Sequence, residues 1–377
     1  MTYLAQSVST DALINLANRS HEVIRRFQDP GGAYPASPTF SAYRGYAWLR
    51  DGAFTAEGVS RFGDTDSVER FHDWVDGVLV RRRGQVEELL ASAAAGAAIS
   101  PNWMLPTRFT FTGDNGSDPW WDFQTDGYGI WLWSLVAHAQ RHGADLVRWR
   151  AGIEVAVDYL TAFWDLPCYD WWEEHGEQRH VSTLGAVYGG LSAITSSGVL
   201  DEARNQLARE VTEAARALVL TEGITNGHLC KWLGSDAIDA SLASCVVPFG
   251  LVPVGGEVAK RTLQQVASQL DVDGGVHRFR ADVFYGGGQW PLLAALLGWN
   301  LARAGDTAGA WRHLRWIAAQ STVNGELPEQ VGEHLMHPDT RREWVQRWGS
   351  VATPLLWSHG MYLILADELG LLEGHQG

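Results

Sequence analysis

The segment that decides the fold is residues 66–79, which read DSVERFHDWVDGVL. Its apolar side chains at helical spacing are Val68, Phe71, Val75 and Leu79. A spacing of three and four residues places these side chains on one face of an α-helix. Asp66 or Ser67, just ahead of this run, is a residue type that caps a helix N terminus. The segment therefore predicts an amphipathic helix with one buried face.

The same pattern recurs along the chain and predicts about twelve helices. In chain order they cover residues 9–27, 50–61, 66–79, 126–141, 144–163, 183–195, 201–218, 238–247, 256–270, 289–304, 307–319 and 358–371. No convincing pair of alternating strands lies between them. The predicted fold class is therefore all-α.

Five connections between these helices are long and rich in glycine and tryptophan. They are residues 26–48, 97–125, 166–182, 271–288 and 323–357. Loops of that length inside a compact domain are usually functional. Because short turns alternate with them, we expect six helical hairpins closed into a ring, with the long loops at one end. No linker rich in proline, serine or charge divides the chain, so we expect a single catalytic domain over residues 1–377.

The composition argues against several classes of function. The 377 residues include 44 acidic and 29 basic side chains, a net charge of −15 that is poorly suited to nucleic-acid phosphates. No stretch of about 18 residues is apolar throughout, so we expect no membrane span. Tryptophan is unusually frequent, with 19 copies, and several lie beside glycine and acidic residues. A flat apolar face next to polar groups suits a sugar ring.

The sequence also bears on the cellular compartment. The first residues include Asp11 and have no basic region ahead of an apolar core, which argues against a signal peptide. Cys168, Cys230 and Cys245 are odd in number and widely spaced, so they form neither a disulfide framework nor a set of zinc ligands. We therefore expect a reduced, cytoplasmic setting.

Arg50 and Asp51 stand side by side at the start of a predicted helix, just after Trp48. Such a pair can hold adjacent hydroxyl groups, because the guanidinium donates hydrogen bonds and the carboxylate accepts them. The alternative is purely structural, since an aspartate in the first turn also interacts favourably with the helix dipole.

Two further loops carry groups of carboxylates. Residues 171–180, WWEEHGEQRH, place three of them in five positions beside two tryptophans. A carboxyl group packed on an indole is partly desolvated, which raises its pKa and suits a general acid. The alternative is a solvated acidic turn. Residues 325–330, GELPEQ, hold two more carboxylates in a turn bounded by glycine and proline, which alone indicates little.

Other apparent motifs indicate no chemistry. The glycines at 286–288 follow no predicted strand and precede no Lys-Ser/Thr pair, so they do not predict a phosphate-binding loop. His138 and His142 have the spacing of metalloprotease ligands, but Ala139 stands where that motif needs glutamate. A Gly-x-Ser-x-Gly nucleophile elbow is also absent from the sequence.

Taken together and in order, these segments resemble glycoside hydrolase family 15, the glucoamylase family. The matching segments are residues 48–51, 120–127, 172–180, 234–236, 278–290, 329–330 and 357–358. They span about residues 40–360 of the chain. Each segment is weak alone, but all seven occur in the order that the family has.

The resemblance implies an (α/α)6 barrel, in agreement with the dozen predicted helices. It also implies exo-acting hydrolysis of a terminal α-glucoside with inversion, and no metal or organic cofactor. Glu173 would be the general acid and Glu329 the general base, roughly 6.5–9.5 Å apart to admit a water. The residues implied to bind substrate are Tyr46, Trp48, Arg50, Asp51, Trp120, Asp126, Trp172, Glu174, Arg278, Trp290 and Ser358.

The resemblance further suggests how these residues divide the work. Arg50, Asp51 and Arg278 would hold hydroxyl groups of the terminal glucose, and the tryptophans would form the walls. Glu174 would bind the leaving sugar. The hydroxyl of Ser358 would support the catalytic base.

The substrate is expected to be a short oligosaccharide. The chain has no recognisable β-sandwich or starch-binding module, and residues 46–51, YAWLRD, are similar to the compact branch of the family that hydrolyses isomaltose. This implies α-1,6 glucosides as substrates and β-glucose as product. We also expect a monomer, and the charge and composition predict no membrane or nucleic-acid partner. The alternatives are a trehalase or an α-1,4 maltooligosaccharide glucohydrolase. From other classes they are a sugar-binding barrel without catalysis, or a lyase or isomerase of similar architecture.

Overall fold

The computed structural model describes residues 8–372, and thirteen α-helices lie within them. They are α1 (Thr10–Phe27), α2 (Leu49–Phe62), α3 (Thr65–Val80), α4 (Arg83–Ala94), α5 (Asp126–His142), α6 (Arg150–Phe163), α7 (Val181–Thr195), α8 (Glu202–Glu222), α9 (Glu257–Leu270), α10 (Pro291–Arg303), α11 (Thr307–Ala319), α12 (Arg341–Trp348) and α13 (Leu356–Glu368). Short 3₁₀ helices occupy Pro101–Trp103, Leu146–Trp149, Ala240–Cys245, Phe284–Gly286 and Pro338–Thr340.

The connections between the helices contain three small antiparallel sheets. Their strands are β1 (Tyr46–Trp48) with β2 (Arg108–Thr110), β3 (Ile224–Thr225) with β4 (His228–Leu229), and β5 (Asp271–Val272), β6 (Gly275–His277) and β7 (Gln289–Trp290). In the first sheet, Trp48 is paired with Arg108. The pairing therefore fixes the first long loop against the second, directly ahead of α2.

Eleven of the α-helices and one 3₁₀ helix form two concentric rings, and this is an (α/α)6 barrel as predicted. In ring order, the inner helices are α2, α5, α7, the 3₁₀ helix Ala240–Cys245, α10 and α13, and α13 packs back against α2. The outer helices are α1, α3, α6, α8, α9 and α11, each beside an inner neighbour.

Composition decides which ring a helix joins. In α13, every residue from Leu356 to Ala366 is buried, because the segment is apolar on all sides. In α1, by contrast, the buried residues lie on one face only. At two places, glycines bring the backbones of neighbouring inner helices close together. A Cβ on Gly58 of α2 would lie 2.3 Å from the carbonyl oxygen of Gly360 in α13. A Cβ on Gly190 of α7 would lie 2.2 Å from the carbonyl oxygen of Gly129 in α5. Glycine at these positions lets the inner ring close tightly.

The structure corrects the type of helix predicted in two places and also one cap, since Asp64, and not Asp66 or Ser67, caps α3. Residues 238–247 form a 3₁₀ helix over Ala240–Cys245 instead of an α-helix, and the Asp239 side chain caps it by accepting from the Ser241 backbone N–H. Residues 144–163 divide into a 3₁₀ turn, Leu146–Trp149, and α6. In both places the apolar periodicity is real, but it does not distinguish one helical geometry from the other.

Helices α4 and α12 are not predicted by the sequence patterns. Helix α4 buries only Val86 and Leu89, and α12 buries none of its residues. Without a continuous apolar face, neither segment carries the periodic signal on which such a prediction depends.

Candidate active site

A pocket of about 320 Å³ opens where the long loops meet. All five long connections contribute to its lining, together with the first turn of α2. Its aromatic lining residues are Tyr43, Trp48, Trp120, Trp121, Trp171, Trp172, Phe284, Trp290, Trp344, Trp348 and Trp357. The interpretation of the long loops as functional is thus matched by a single pocket with aromatic walls.

Ten of the thirteen predicted site residues line this pocket. They are Trp48, Arg50, Asp51, Trp120, Trp172, Glu173, Glu174, Arg278, Trp290 and Glu329. The other three lie behind it. Tyr46 donates to Asp118 and packs edge-on against Trp48, and Asp126 accepts a 2.9 Å hydrogen bond from Arg50. The Ser358 hydroxyl donates to the carbonyl of Pro328 at 2.8 Å.

Glu173 is held in an unusual backbone conformation at the pocket wall. Its φ of 64° lies in the left-handed region, which costs a non-glycine residue about 1–2 kcal/mol. Its Oε1 accepts a 2.6 Å hydrogen bond from the indole N–H of Trp48 and lies 4.0 Å from a guanidinium nitrogen of Arg50. Burial raises the pKa of Glu173, although Arg50 and the Trp48 indole lower it. A carboxyl group in this environment is suited to hold a proton.

Asp170 maintains this conformation. Its Oδ1 accepts hydrogen bonds from the backbone N–H groups of Trp172 and Glu174, both at 2.9 Å. The backbone N–H of Glu173 donates to the Asp170 carbonyl at 3.0 Å. All three N–H groups of the turn are therefore satisfied, which offsets the strain at Glu173.

Glu329 also lines the pocket and is 2% exposed. Its Oε1 accepts a 2.8 Å hydrogen bond from the Tyr43 hydroxyl, and its buried Oε2 has no partner within residues 8–372. Burial raises the pKa of Glu329 to about 8, against the lowering effects of Tyr43 and Arg278. Oε2 is therefore the atom of this carboxylate that is available to accept a proton.

The role expected of Ser358 needs correction. Its hydroxyl contacts the Pro328 carbonyl and not the carboxylate of Glu329. The backbone N–H of Glu329 donates to the Ala352 carbonyl at 2.9 Å. Ser358 therefore supports the backbone that carries Glu329, one residue away from the group it was expected to contact.

Tyr43 connects the two carboxyl groups. Its ring packs against that of Trp48 with centroids 5.3 Å apart, and Trp48 donates to Glu173. A continuous path therefore runs from Glu329 through Tyr43 and Trp48 to Glu173. The sequence patterns do not indicate Tyr43, because a single tyrosine in a loop has no periodicity and its partner lies 286 residues away.

Arg50 and Asp51 lie together at one side of the pocket. Arg50 donates to Gln124 at 2.6 Å and to Asp126 at 2.9 Å, and its guanidinium lies 5.6 Å from the ring centroid of Trp357. Asp51 is only loosely paired, since its Oδ2 is 3.7 Å from Arg50 Nε. Burial raises the pKa of Asp51 to about 7. A fixed guanidinium beside a weakly paired carboxylate offers both donors and an acceptor for adjacent hydroxyl groups.

We expect Asp51→Asn to lower kcat/KM for a glucoside substrate by about 10- to 100-fold, since a hydrogen bond to a charged group contributes about 1.5–3 kcal/mol. Because the carboxylate is buried and its pKa is raised, replacing it by a neutral amide should not lower the melting temperature at pH 7. Steady-state kinetics and thermal unfolding measure both quantities.

The matched control is Asp66→Asn, which also lies in the first turn of a helix but has a side chain that is 73% exposed. Its kinetics should match those of the unmodified chain. If Asp51→Asn unfolds at a lower temperature while its folded fraction retains normal activity, then Asp51 only stabilises the start of α2.

Arg278 forms part of an aromatic wall. Its guanidinium lies 5.2–5.3 Å from the ring centroids of Trp172, Phe284 and Trp290. Its Nε donates to Asp282 at 2.8 Å, and its Nη2 donates to Glu174 at 3.2 Å. Burial raises the pKa of Glu174, and Arg278 lowers it. Arg278 and Glu174 thus form a polar pair on an otherwise apolar surface.

The outer wall comes from α12, the helix that the sequence patterns missed. Trp348 stacks on Trp120 with ring centroids 6.4 Å apart, and Trp344 packs edge-on against Phe284 at 5.0 Å. The two tryptophans are spaced four residues apart, so they share one face of the helix. That pair is the one signal in the sequence that could have indicated this wall.

Residues 8–372 contain neither a membrane span nor a metal cluster. None of their helices is long and apolar enough to cross a bilayer. No three of their His, Cys, Asp or Glu side chains are grouped so that they could hold a metal ion. The three cysteines are buried and unpaired.

Comparisons with known proteins agree with this geometry. A family model described as glycosyl hydrolases family 15 matches residues 10–339. The chain is 68% identical over 378 residues to isomaltose glucohydrolase of Kribbella flavida, covering 99% of this chain and 98% of the relative.

Solved structures of glycosidases are also similar to this chain in sequence and fold. A wild-type glycosidase is 69% identical, with a TM-score of 0.95 over 97% of this chain and 99% of that one. A variant glycosidase solved in complex with glucose is 68% identical, with the same TM-score and coverage. A bacterial glucoamylase solved with acarbose is 19% identical, with a TM-score of 0.72 over 94% of this chain and 55% of that one, and it shares the fold.

Proposed function

The chain belongs to glycosyl hydrolase family 15 and is a glycoside hydrolase, and from this premise we propose that it releases β-glucose from the non-reducing end of short α-1,6-linked glucosides, isomaltose above all. The observation that carries the proposal is the presence of two carboxyl groups, the half-buried Glu173 and the buried Glu329, in one aromatic pocket. Inverting glycosidases need such a pair, one protonated and one ionised.

The proposed mechanism assigns one proton to this pair. Glu173 gives its proton to the glycosidic oxygen as the bond from C1 breaks and the electron pair leaves with the departing sugar. Glu329 takes a proton from a water that attacks C1 on the opposite face. Burial raises the pKa of both groups, which suits Glu173 to keep its proton. The mechanism also requires Glu329 in its ionised form, which the hydrogen bond from Tyr43 and the charge of Arg278 favour.

The remaining residues position the sugar and stabilise the transition state. Arg50 and Asp51 would bind hydroxyl groups of the terminal glucose, and Arg278 would do so from the other wall. Glu174, which accepts from Arg278, would also accept from a hydroxyl group of the leaving sugar. Fixed charges around an oxocarbenium-like centre lower the barrier because they need no reorganisation.

A short substrate is supported by the shape of the pocket. Its volume of about 320 Å³ is at the lower end of the range of roughly 300–1,000 Å³ for small-molecule sites. Trp344 and Trp348 of α12, together with Trp120, add to its lining and enclose the space further. The α-1,6 linkage rests on the relative from Kribbella flavida, which is named for isomaltose.

The test is a panel of isomaltose, maltose, trehalose and soluble starch, with glucose release followed under initial-rate conditions. Isomaltose should have the highest kcat/KM, by roughly 10- to 200-fold, the range over which a binding pocket discriminates similar substrates. A faster reaction with maltose or trehalose would replace the proposed linkage. Efficient digestion of starch would contradict the short substrate, and no release from any of the four would contradict the proposal as a whole.

We also propose a single-domain, monomeric, cytoplasmic enzyme without a nucleic-acid or membrane partner. The net charge of −15 disfavours binding to phosphate backbones and to anionic membrane surfaces. The three buried, unpaired cysteines are typical of a reducing compartment.

A further inference from the structure

Lys231 is one of only two lysines in the chain, and it is almost completely buried. Its side chain is 3% exposed, whereas that of Lys260 is 62% exposed. Its backbone is fixed on both sides, since its N–H donates to Ala237 and its carbonyl accepts from Val181 at the start of α7. A buried ammonium group is costly unless it is paired, so its partners matter.

Two carboxylates pair with Lys231. Its Nζ lies 3.0 Å from Asp170 Oδ2 and 2.5 Å from Asp239 Oδ2, and 3.6 Å from the ring centroid of Phe279. Burial alone would lower the pKa of Lys231, but Asp170 and Asp239 raise it above its ordinary value. Lys231 is therefore charged and binds two loops that are 69 residues apart in the sequence.

Both partners hold the segment that carries Glu173. Asp170 accepts from the backbone N–H groups of Trp172 and Glu174 through Oδ1, the oxygen that does not contact Lys231. Asp239 accepts from the indole N–H of Trp172 at 2.9 Å. The segment is thus fixed through its backbone by one carboxylate and through a side chain by the other. Lys231 itself does not line the pocket.

We propose that Lys231 is a positioning residue for the general acid, acting through Asp170 and Asp239 on the segment that holds Glu173. The proposal rests on the proposed function, because it presupposes that Glu173 protonates the leaving sugar. Without the ammonium group, two carboxylates would face each other unpaired, and either could turn away from its contacts with Trp172. The left-handed backbone at Glu173 would then lose its support.

The expected consequence is selective loss of proton donation. A misplacement of about 1 Å at a reacting group can cost about 100-fold in rate. Isomaltose requires protonation of its leaving oxygen. The substrate α-D-glucosyl fluoride does not, because its C1–F bond breaks with the electron pair on a weakly basic fluoride, while Glu329 still takes a proton from the attacking water. A residue that only stabilises the fold would affect both substrates equally.

The test compares kcat and KM of the full chain for isomaltose and for α-D-glucosyl fluoride in Lys231→Met. We expect kcat for isomaltose to fall by about 10- to 100-fold, part of the usual contribution of a general acid, while KM and the rate with the fluoride change little. Glu173→Gln serves as the reference, because it gives the ratio of the isomaltose rate to the fluoride rate when the general acid is lost completely. Lys260→Met, which removes the exposed lysine of α9, should leave both rates unchanged.

A second variant keeps the test decisive if Lys231→Met does not fold. Asp239→Asn leaves one buried lysine–aspartate pair, and its amide oxygen can still accept from Trp172. It should shift the ratio of the two rates in the same direction by a smaller factor. Parallel loss of both rates in the folded variants, or an unchanged rate with isomaltose, would overturn the proposal. If the unmodified chain cleaves neither substrate, the proposed function itself fails; if it cleaves both and the variants keep its ratio, only the role of Lys231 fails.

Discussion

Glu329→Gln is expected to lower kcat for isomaltose by about 10²- to 10⁴-fold, the usual contribution of a general base. The amide has nearly the same shape as the carboxyl group and can still accept from Tyr43, but it cannot take a proton from water. Steady-state kinetics on the purified variant measures the loss.

The same substitution should not destabilise the protein. Burial raises the pKa of Glu329 to about 8, whereas an unfolded glutamate has a pKa of about 4.3. The carboxyl group therefore favours folding at low pH, and this contribution is lost as the pH rises towards 8. Relative to the unmodified chain, the melting temperature of Glu329→Gln should be equal at pH 4 and equal or higher at pH 8.

The matched control is Glu326→Gln, in the same turn but outside the pocket. It should retain full activity. If Glu329→Gln keeps its fold and turns over isomaltose at a near-normal rate, Glu329 is not the general base, and the pocket then has no assigned base.

Glu173→Gln should lower kcat for isomaltose by a similar factor, about 10²- to 10⁴-fold, because no proton can then reach the leaving oxygen. The loss should depend on the leaving group. With α-D-glucosyl fluoride, whose fluoride departs without protonation, the variant should retain most of its rate. Initial rates with the two substrates measure this difference directly.

Glu177→Gln, in the same loop but with a side chain that is 69% exposed, serves as the control and should behave as the unmodified chain does. Equal losses with both substrates in Glu173→Gln would mean that Glu173 shapes the pocket without donating a proton. An unchanged rate with isomaltose would mean that another group is the acid.

The ring of helices is predictable because its signal is periodic. The buried face of α3 repeats every three or four residues, and the apolar α13 can only be internal. The short helix α12 has no such face. Its place is decided by Trp344 and Trp348, which contact aromatic residues of other loops. Local patterns do not report contacts of that kind.

The residues of the candidate site also differ in whether the sequence alone indicates them. Glu173 and Glu329, which both line the pocket, are predicted from the sequence because they stand in short segments whose types and order match a family. Tyr43 and Lys231 are not found, since each matters only through partners that the fold brings to it. Ser358 lies between these cases: the sequence predicts that it supports the base, but its hydroxyl contacts the Pro328 carbonyl, one residue before Glu329.

The most direct test of the account is the configuration of the first glucose released from isomaltose, followed by proton NMR in the first minutes, before mutarotation mixes the anomers. Protonation by Glu173 on one face of the sugar and attack by water, activated by Glu329, on the other must give inversion. We therefore expect β-glucose to appear first. If α-glucose appears first, the reaction proceeds with retention, Glu329 cannot be the base that activates water, and the proposed mechanism is wrong.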